Sequence, residues 1–121
     1  MIYGRSSHCL CYLNGNIYAV GGFLTGQVFT DFCERLVISK NQWEMVAPLN
    51  YKCVAASLCS FNNKFLFKFG GLIDGGLLNN QIEKYDELLN KWTVIDATFD
   101  PADSLKANLK EFRLLSASCS V

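Results

Sequence analysis

The residues best suited to chemistry in this 121-residue chain are six cysteines, Cys9, Cys11, Cys33, Cys53, Cys59 and Cys119, and a single histidine, His8. A structural zinc site usually draws on two close ligand pairs. Here no two cysteines form a C-x-x-C pair, and only His8 could supply imidazole. A thiol or hydroxyl nucleophile needs a base beside it and a carboxylate to orient that base. Cys9 and Cys11 are sequence neighbours of His8, but alternate residues of a strand share a face. Cys9 and Cys11 therefore stand together and His8 faces away. The glycine pairs Gly21-Gly22 and Gly70-Gly71 are not followed by Lys-Ser or Lys-Thr, so they do not form a phosphate loop. The reading is no enzyme: no catalytic, cofactor-binding or metal-ligating residue. The cysteines lie in apolar, strand-like runs, where a free thiol behaves as a small hydrophobe. Buried reduced thiols are expected, and with them a cytoplasmic or nuclear location.

Half of the residues are hydrophobic, with nine Phe, five Tyr and two Trp, which is a core-forming composition for one small domain. Formal net charge is zero, which gives no electrostatic footprint for nucleic acid or an acidic membrane. No apolar run reaches the ~20 residues of a membrane-spanning helix. The opening Met1-Ile2-Tyr3-Gly4-Arg5 lacks the basic flank and apolar stretch of a signal peptide.

The elements that must position any site come from a repeat. Gly21, Gly22, Glu34, Asn41 and Trp43 recur as Gly70, Gly71, Glu83, Asn90 and Trp92, each at an offset of 49. A fixed period of this length signals an array, solenoid or propeller. Each copy reads as four short strands. In the first they are Cys9 to Leu13, Ile17 to Val20, Phe32 to Ile38 and Trp43 to Val46; in the second Ala55 to Phe61, Phe65 to Phe69, Gln81 to Asp86 and Trp92 to Ile95. Asn14-Gly15-Asn16 and Asn62-Asn63-Lys64 are the hairpin turns between the first two strands, because Asn and Gly tolerate the positive φ such turns need. A third copy starts at Leu114 and runs to Val121, at an offset of 60 from Val54 to Phe61. The 11 extra positions fall before it. Asp100-Pro101-Ala102-Asp103 has the features of a helix start, and Leu105, Leu109 and Phe112 follow at helical spacing. A short helix is expected within this 97–112 insertion, with an irregular loop as the alternative.

These residues resemble the kelch repeat. The marks are Ile17-Tyr18-Ala19-Val20-Gly21-Gly22, Glu34-Arg35-Leu36 and Asn41-Gln42-Trp43, then Phe67-Lys68-Phe69-Gly70-Gly71, Glu83-Lys84-Tyr85-Asp86 and Asn90-Lys91-Trp92. Arg5-Ser6-Ser7-His8 is similar to the family's opening strand. The resemblance implies an all-β fold of kelch-type propeller blades, each of four antiparallel strands. The expected division is a blade over 5–48, a blade over 52–96, the insertion 97–112 and the first strand of a further blade over 113–121. Leu36 and Val37 depart from the family's Tyr and Asp, and Val54 is aligned with Arg5. The resemblance makes Gly21, Gly22, Glu34, Trp43, Gly70, Gly71, Glu83, Tyr85 and Trp92 structural, with Tyr85 and Trp92 filling the space beside the glycines of their own blade. Some kelch propellers are copper oxidases or sugar mutarotases, but copper needs several imidazole or phenolate ligands, which this stretch does not supply.

With four alternating strands A to D, loops B–C and D–A emerge on one face. The long segments, Phe23 to Asp31, Leu72 to Asn80 and Asp96 to Glu111, all belong to it. Long loops on a rigid scaffold are where binding residues concentrate. The candidate partner-binding residues are Thr25, Gln27, Asp31, Asp74, Asn79, Asn80, Asp96, Asp100 and Asp103. The expected function is a non-catalytic protein-interaction module, its partner another protein. The alternatives are the substrate-recognition segment of a cullin-type ubiquitin ligase adaptor, and a piece of a propeller enzyme whose catalytic residues lie elsewhere. Two blades fall short of the ~4–8 of a closed propeller, so the propeller is incomplete. The remaining blades are expected from a longer chain, or from further copies of this one.

Overall fold

A computed structural model describes residues 1–74, 77–78 and 81–95. The insertion, the third copy and Cys119 lie outside the described residues. The strands are β1 (Cys9–Leu13), β2 (Asn16–Val20), β3 (Phe23–Leu24), β4 (Val28–Phe29), β5 (Cys33–Val37), β6 (Gln42–Val46), β7 (Ser57–Phe61), β8 (Phe65–Phe69), β9 (Leu72–Ile73), β10 (Leu77–Leu78), β11 (Ile82–Asp86) and β12 (Lys91–Ile95). They form two four-stranded antiparallel sheets, in the orders β1-β2-β5-β6 and β7-β8-β11-β12, as expected of kelch blades. Apart from one 3-10 turn, Ile38–Lys40, no helix occurs among the described residues. The B–C segments read as loops each carry a small hairpin, β3–β4 and β9–β10. An edge-on Phe23–Phe29 ring contact at 4.9 Å supports the first. Backbone bridges Ser6–Phe23 and Val54–Leu72 tie both hairpins to the segment that leads into their sheet.

The repeat is not one uniform offset. Asn14 and Gly15, both with positive φ, make a two-residue turn between the paired Leu13 and Asn16. The corresponding turn of the second sheet holds three residues, Asn62, Asn63 and Lys64, between Phe61 and Phe65. The extra residue slides everything before it by one position. Ser6 and Val54 make equivalent bridges, and Ser7 and Ala55 share a left-handed φ of 52° and 54°. Both pairs are 48 apart, whereas the glycines, glutamates and tryptophans are 49 apart. The alignment of Val54 with Arg5 is thereby corrected: the counterpart of Arg5 is Cys53.

Between the sheets, Leu13, Tyr18, Val20, Cys33 and Val46 meet Leu58, Leu66, Tyr85 and Trp92 in one apolar core. The first strands of the two sheets, β1 and β7, lie against each other. Tyr85 stacks on Trp92 at 5.0 Å and reaches across to Tyr18 at 5.5 Å. The two sheets present opposite faces to this seam. Leu58 and Trp92 are 8% and 4% exposed within it, while residues on the matching face of the first sheet stay open: Leu10 is 55% exposed, Tyr12 60% and Met45 42%.

The glycine pairs are confronted by backbone, not by the aromatic rings expected to fill their space. A Cβ on Gly21 would lie 2.6 Å from the Cys53 carbonyl oxygen, and one on Gly22 2.6 Å from that of Ser6. Gly71 repeats the pattern against Val54 at 2.6 Å, whereas Gly70 has open space among the described residues. Tyr85 and Trp92 serve the seam between sheets instead. Gly70 and Gly71 both have positive φ, 71° and 82°. Gly70→Ala is therefore expected to lose about 1–2 kcal/mol to backbone strain, and Gly71→Ala a further ~1–3 kcal/mol to overpacking. Urea unfolding of the two variants measures the difference; equal midpoints would contradict it.

Candidate functional site

Two glutamates stand at the centre of the two sheets, both wholly buried. A buried charge is tolerated when it is paired and hydrogen-bonded, and each of these is. Glu34 accepts the backbone N–H groups of Ile2 at 2.6 Å and Tyr3 at 3.2 Å, and takes the Arg5 guanidinium at 2.5 Å. Arg5 also donates to the carbonyls of Gly21 at 3.0 Å and Phe32 at 2.6 Å. Glu83 accepts the N–H groups of Asn50 at 2.8 Å and Tyr51 at 3.3 Å, with the Asn50 side-chain amide at 2.9 Å. Its cation is Lys68, with Nζ at 3.6 Å and both side chains fully buried.

The two sheets thus draw the counter-charge from different places, the segment before β1 in the first and β8 in the second. Lys68 pairs directly with Glu83 across β8 and β11; the same place in the first sheet is Ala19, opposite Glu34. Where Arg5 stands, the second sheet has Cys53, whose thiol donates to the Gly70 carbonyl at 3.6 Å, as Arg5 does to Gly21. Lys68 was not singled out by the sequence reading. Its signal was a lone cation between two phenylalanines where the other copy has alanine.

The other motif residues tie the outer strand to the linker. The Trp92 indole donates to the Ala47 carbonyl at 3.0 Å. Asn90 Oδ1 accepts the Tyr85 hydroxyl at 2.7 Å and the Ala47 N–H at 2.9 Å. Trp43 is only half-buried, with no neighbouring sheet on its side among the described residues. At the opposite end of the seam, Tyr18 donates its hydroxyl to Glu87, which also accepts from Asn14 at 3.2 Å.

Three of the described thiols are held toward the protonated form. Burial pushes Cys9 up to about 12, with Cys53 adding to the shift and Lys68 opposing it. Burial also raises Cys11 and Cys33. His8 is lowered, first by burial and then by Arg5. Cys9, Cys11 and Cys33 are free thiols, as expected. Cys59 is disulfide-bonded, which corrects the expectation of reduced thiols throughout. It lies on β7, the edge strand of its sheet among the described residues.

Of the candidate binding residues, Thr25 and Gln27 share the exposed tip of the β3–β4 hairpin, and Asp74 is exposed after β9. Asp31 is partly buried, and its carbonyl accepts the Leu49 N–H at 2.8 Å, which joins the B–C segment to the linker. Asn79, Asn80, Asp96, Asp100 and Asp103 lie outside the described residues. No helix among the described residues is long and apolar enough to cross a membrane.

The Kelch motif model matches residues 4–50, which takes in the first sheet. Kelch-like protein 36 of Rattus norvegicus is 30% identical over 95 residues, covering 75% of this chain and 15% of that protein. The Mus musculus protein of the same name is matched to the same extent. The chain therefore spans about 15% of the length of these curated relatives.

Two expectations follow. Arg5→Cys alone leaves Glu34 without its cation and is expected to cost about 3–5 kcal/mol. Adding Ala19→Lys, which installs the arrangement of the second sheet, is expected to restore more than half of that loss in denaturant unfolding; strictly additive effects would refute the equivalence. The second concerns alkali. Tyr18 is raised to about 12, first by burial and then by its bond to Glu87. A raised acid stabilises the fold fully below its unfolded value of ~10, and that stability is lost as pH climbs through the folded value. Tyr18→Phe should flatten the fall in stability between pH ~10 and ~12, and an unchanged pH slope would count against this assignment.

Proposed function

The chain belongs to the kelch-repeat family, and on that premise we propose that it is a non-catalytic protein-interaction segment of a β-propeller. The observation that carries the reading is the unequal burial of equivalent faces. Positions sealed at the seam in the second sheet, such as Leu58 and Trp92, correspond to Leu10 and Trp43, which are exposed or half-buried in the first. That open face of the first sheet fits a further blade, contributed by a longer chain or by another copy.

Catalysis by Cys9, Cys11 or Cys33 is disfavoured by their protonation, since the thiolate is the nucleophile and burial favours the neutral form of all three. The motif charges are engaged inside the sheets, which leaves the B–C and D–A segments as the variable surface. Thr25, Gln27 and Asp74 support the partner face on the described side. Asn79, Asn80, Asp100 and Asp103 extend the proposal along the same segments.

A photo-crosslinking side chain at Thr25 or Asp74 should capture a partner polypeptide in cells, and one at Lys40, on the opposite face, should not. Deleting 97–111 should weaken that capture while leaving the unfolding transition of the two sheets in place. Capture from Lys40 alone, or capture indifferent to the deletion, would place the partner face elsewhere.

A further inference from the structure

Asn14-Gly15 is the one Asn-Gly pair in the chain. It forms the A–B turn of the first sheet, between the paired Leu13 and Asn16, with φ of 50° and 80°. Packing does not require the glycine, since a Cβ on Gly15 would meet nothing within 4 Å. The turn does not require it either: Asn62 and Asn63 hold 55° and 53° in the corresponding turn of the second sheet. Asn14 is exposed. The Gly15 carbonyl accepts the Ile38 N–H at 3.3 Å, while the Gly15 N–H meets no acceptor among the described residues.

An asparagine followed by glycine carries both an electrophile and a nucleophile. Asn14 Cγ and the Gly15 amide nitrogen close a five-membered ring when they meet, and glycine has no side chain to obstruct the approach. In the fold the Asn14 amide is engaged. Its Nδ2 donates to the Asn63 carbonyl and to Glu87 Oε1, the latter at 3.2 Å, and both partners belong to the second sheet. Glu87 also takes the Tyr18 hydroxyl. Asn14 is therefore a tie across the seam that is built on a reactive pair. A carboxylate in its place only accepts. Two donated bonds would become two contacts between acceptors, one of them carboxylate to carboxylate. Lys64 lines the groove beside Asn14 and offsets part of the added charge, but it does not turn the Asn63 carbonyl or Glu87 into a donor.

We propose that Asn14 is a deamidation site whose product unties this end of the seam. The only co-reactant is water. When the side chain leaves its acceptors, the Gly15 nitrogen gives its proton to solvent and attacks Asn14 Cγ. The N–Cγ bond forms, the Cγ–Nδ2 bond breaks, and Nδ2 departs as ammonia with a proton taken from water. The resulting succinimide adds water. Opening at Cγ gives aspartate, and opening at the main-chain carbonyl gives iso-aspartate, in which the chain runs through Cγ. In sum one water is consumed and one ammonia released, with no change of oxidation state. Both products replace the donating amide by a carboxylate, and iso-aspartate also adds a carbon to the backbone of a two-residue turn. The step is one-way: opening of the seam admits the attack, and the product keeps the seam open.

The test follows the full chain by mass spectrometry in a mildly alkaline buffer. Peptide mapping should show a gain of about 1 Da at position 14, as aspartate and iso-aspartate. Asn41, Asn62, Asn63 and Asn90, none of which precedes glycine, should change roughly tenfold more slowly or less. The thermal midpoint should fall as the modified fraction grows. Gly15→Asn, a residue that the Asn62-Asn63 turn shows this backbone accepts, should slow the gain roughly tenfold or more. Asn14→Asp should lower the midpoint from the outset. Adding Glu87→Gln, whose amide donates to the new carboxylate while its oxygen still accepts the Tyr18 hydroxyl, should recover more than half of that loss, judged against Glu87→Gln alone. An unmodified Asn14, or equal rates in the parent and Gly15→Asn, would overturn the site. A midpoint unmoved by deamidation and by Asn14→Asp, or a loss that Glu87→Gln does not relieve, would overturn the untying of the seam.

Discussion

A carboxylate that cannot reach water governs this architecture. Glu34 and Glu83 each sit at 0% exposure in the middle of a sheet, where an unpaired charge would cost several kcal/mol. The remedy in both cases is the same pair of backbone N–H groups from the segment preceding the sheet, plus one buried cation. Satisfying the carboxylate therefore fixes where that segment runs. In the second sheet the segment is the linker from β6, so the bond at Asn50 and Tyr51 also sets how the second sheet follows the first. The glycine pair completes the constraint. The segment passes so close to Gly21, Gly22 and Gly71 that a Cβ there would strike its carbonyls at 2.6 Å.

The cation is less constrained than the carboxylate. A guanidinium arriving from the segment that precedes the sheet and an ammonium arriving from the neighbouring strand both serve, because the carboxylate needs positive charge and donors in a given volume, not a particular backbone origin. Beyond its carboxylate, Arg5 makes two further contacts, to the carbonyls of Gly21 and Phe32. Cys53 takes over one of them, to Gly70. Two charge arrangements thus coexist on one backbone, which explains how the copies diverge at Arg5 and Ala19 while keeping the glutamate.

Much of the fold was legible in the sequence. The glycine, glutamate and tryptophan spacing located the two sheets, and the Asn-Gly and Asn-Asn turns located the hairpins between their first strands. What escaped was whatever depends on a neighbour. A three-residue turn at Asn62–Lys64 shifts the first strand by one position, and no local pattern reveals which side of a turn absorbs an added residue. The glycines read as making room for aromatic rings, whereas the crowding atoms are carbonyls of a distant segment. The hairpins β3–β4 and β9–β10 are too short to carry a periodic signal. At the candidate site, Thr25 and Gln27 were legible because a hairpin tip is polar and exposed, but Asp31 looked the same in sequence and instead lends its carbonyl to Leu49.

The seam between the sheets also bears on assembly. It joins one face of the first sheet to the opposite face of the second, so it is heterologous in the sense used for subunits. Such a contact does not exhaust itself: each unit added leaves a fresh copy of the same open face, until the array closes on itself or is capped. Leu10, Tyr12 and Met45 are the residues left on that face. Their equivalents in the second sheet are less open, with Leu58 buried and Ser60 and Val94 partly buried, so the open face is defined by complementarity as well as by exposure. Closure then depends on the angle between successive sheets, and that angle is held by the linker tie to the buried carboxylate at one end of the seam and by Tyr18, Glu87 and Asn14 at the other. A change in either tie would alter the angle at every repeat of the contact, so small errors there would accumulate around a ring while a comparable change at a loop tip would stay local.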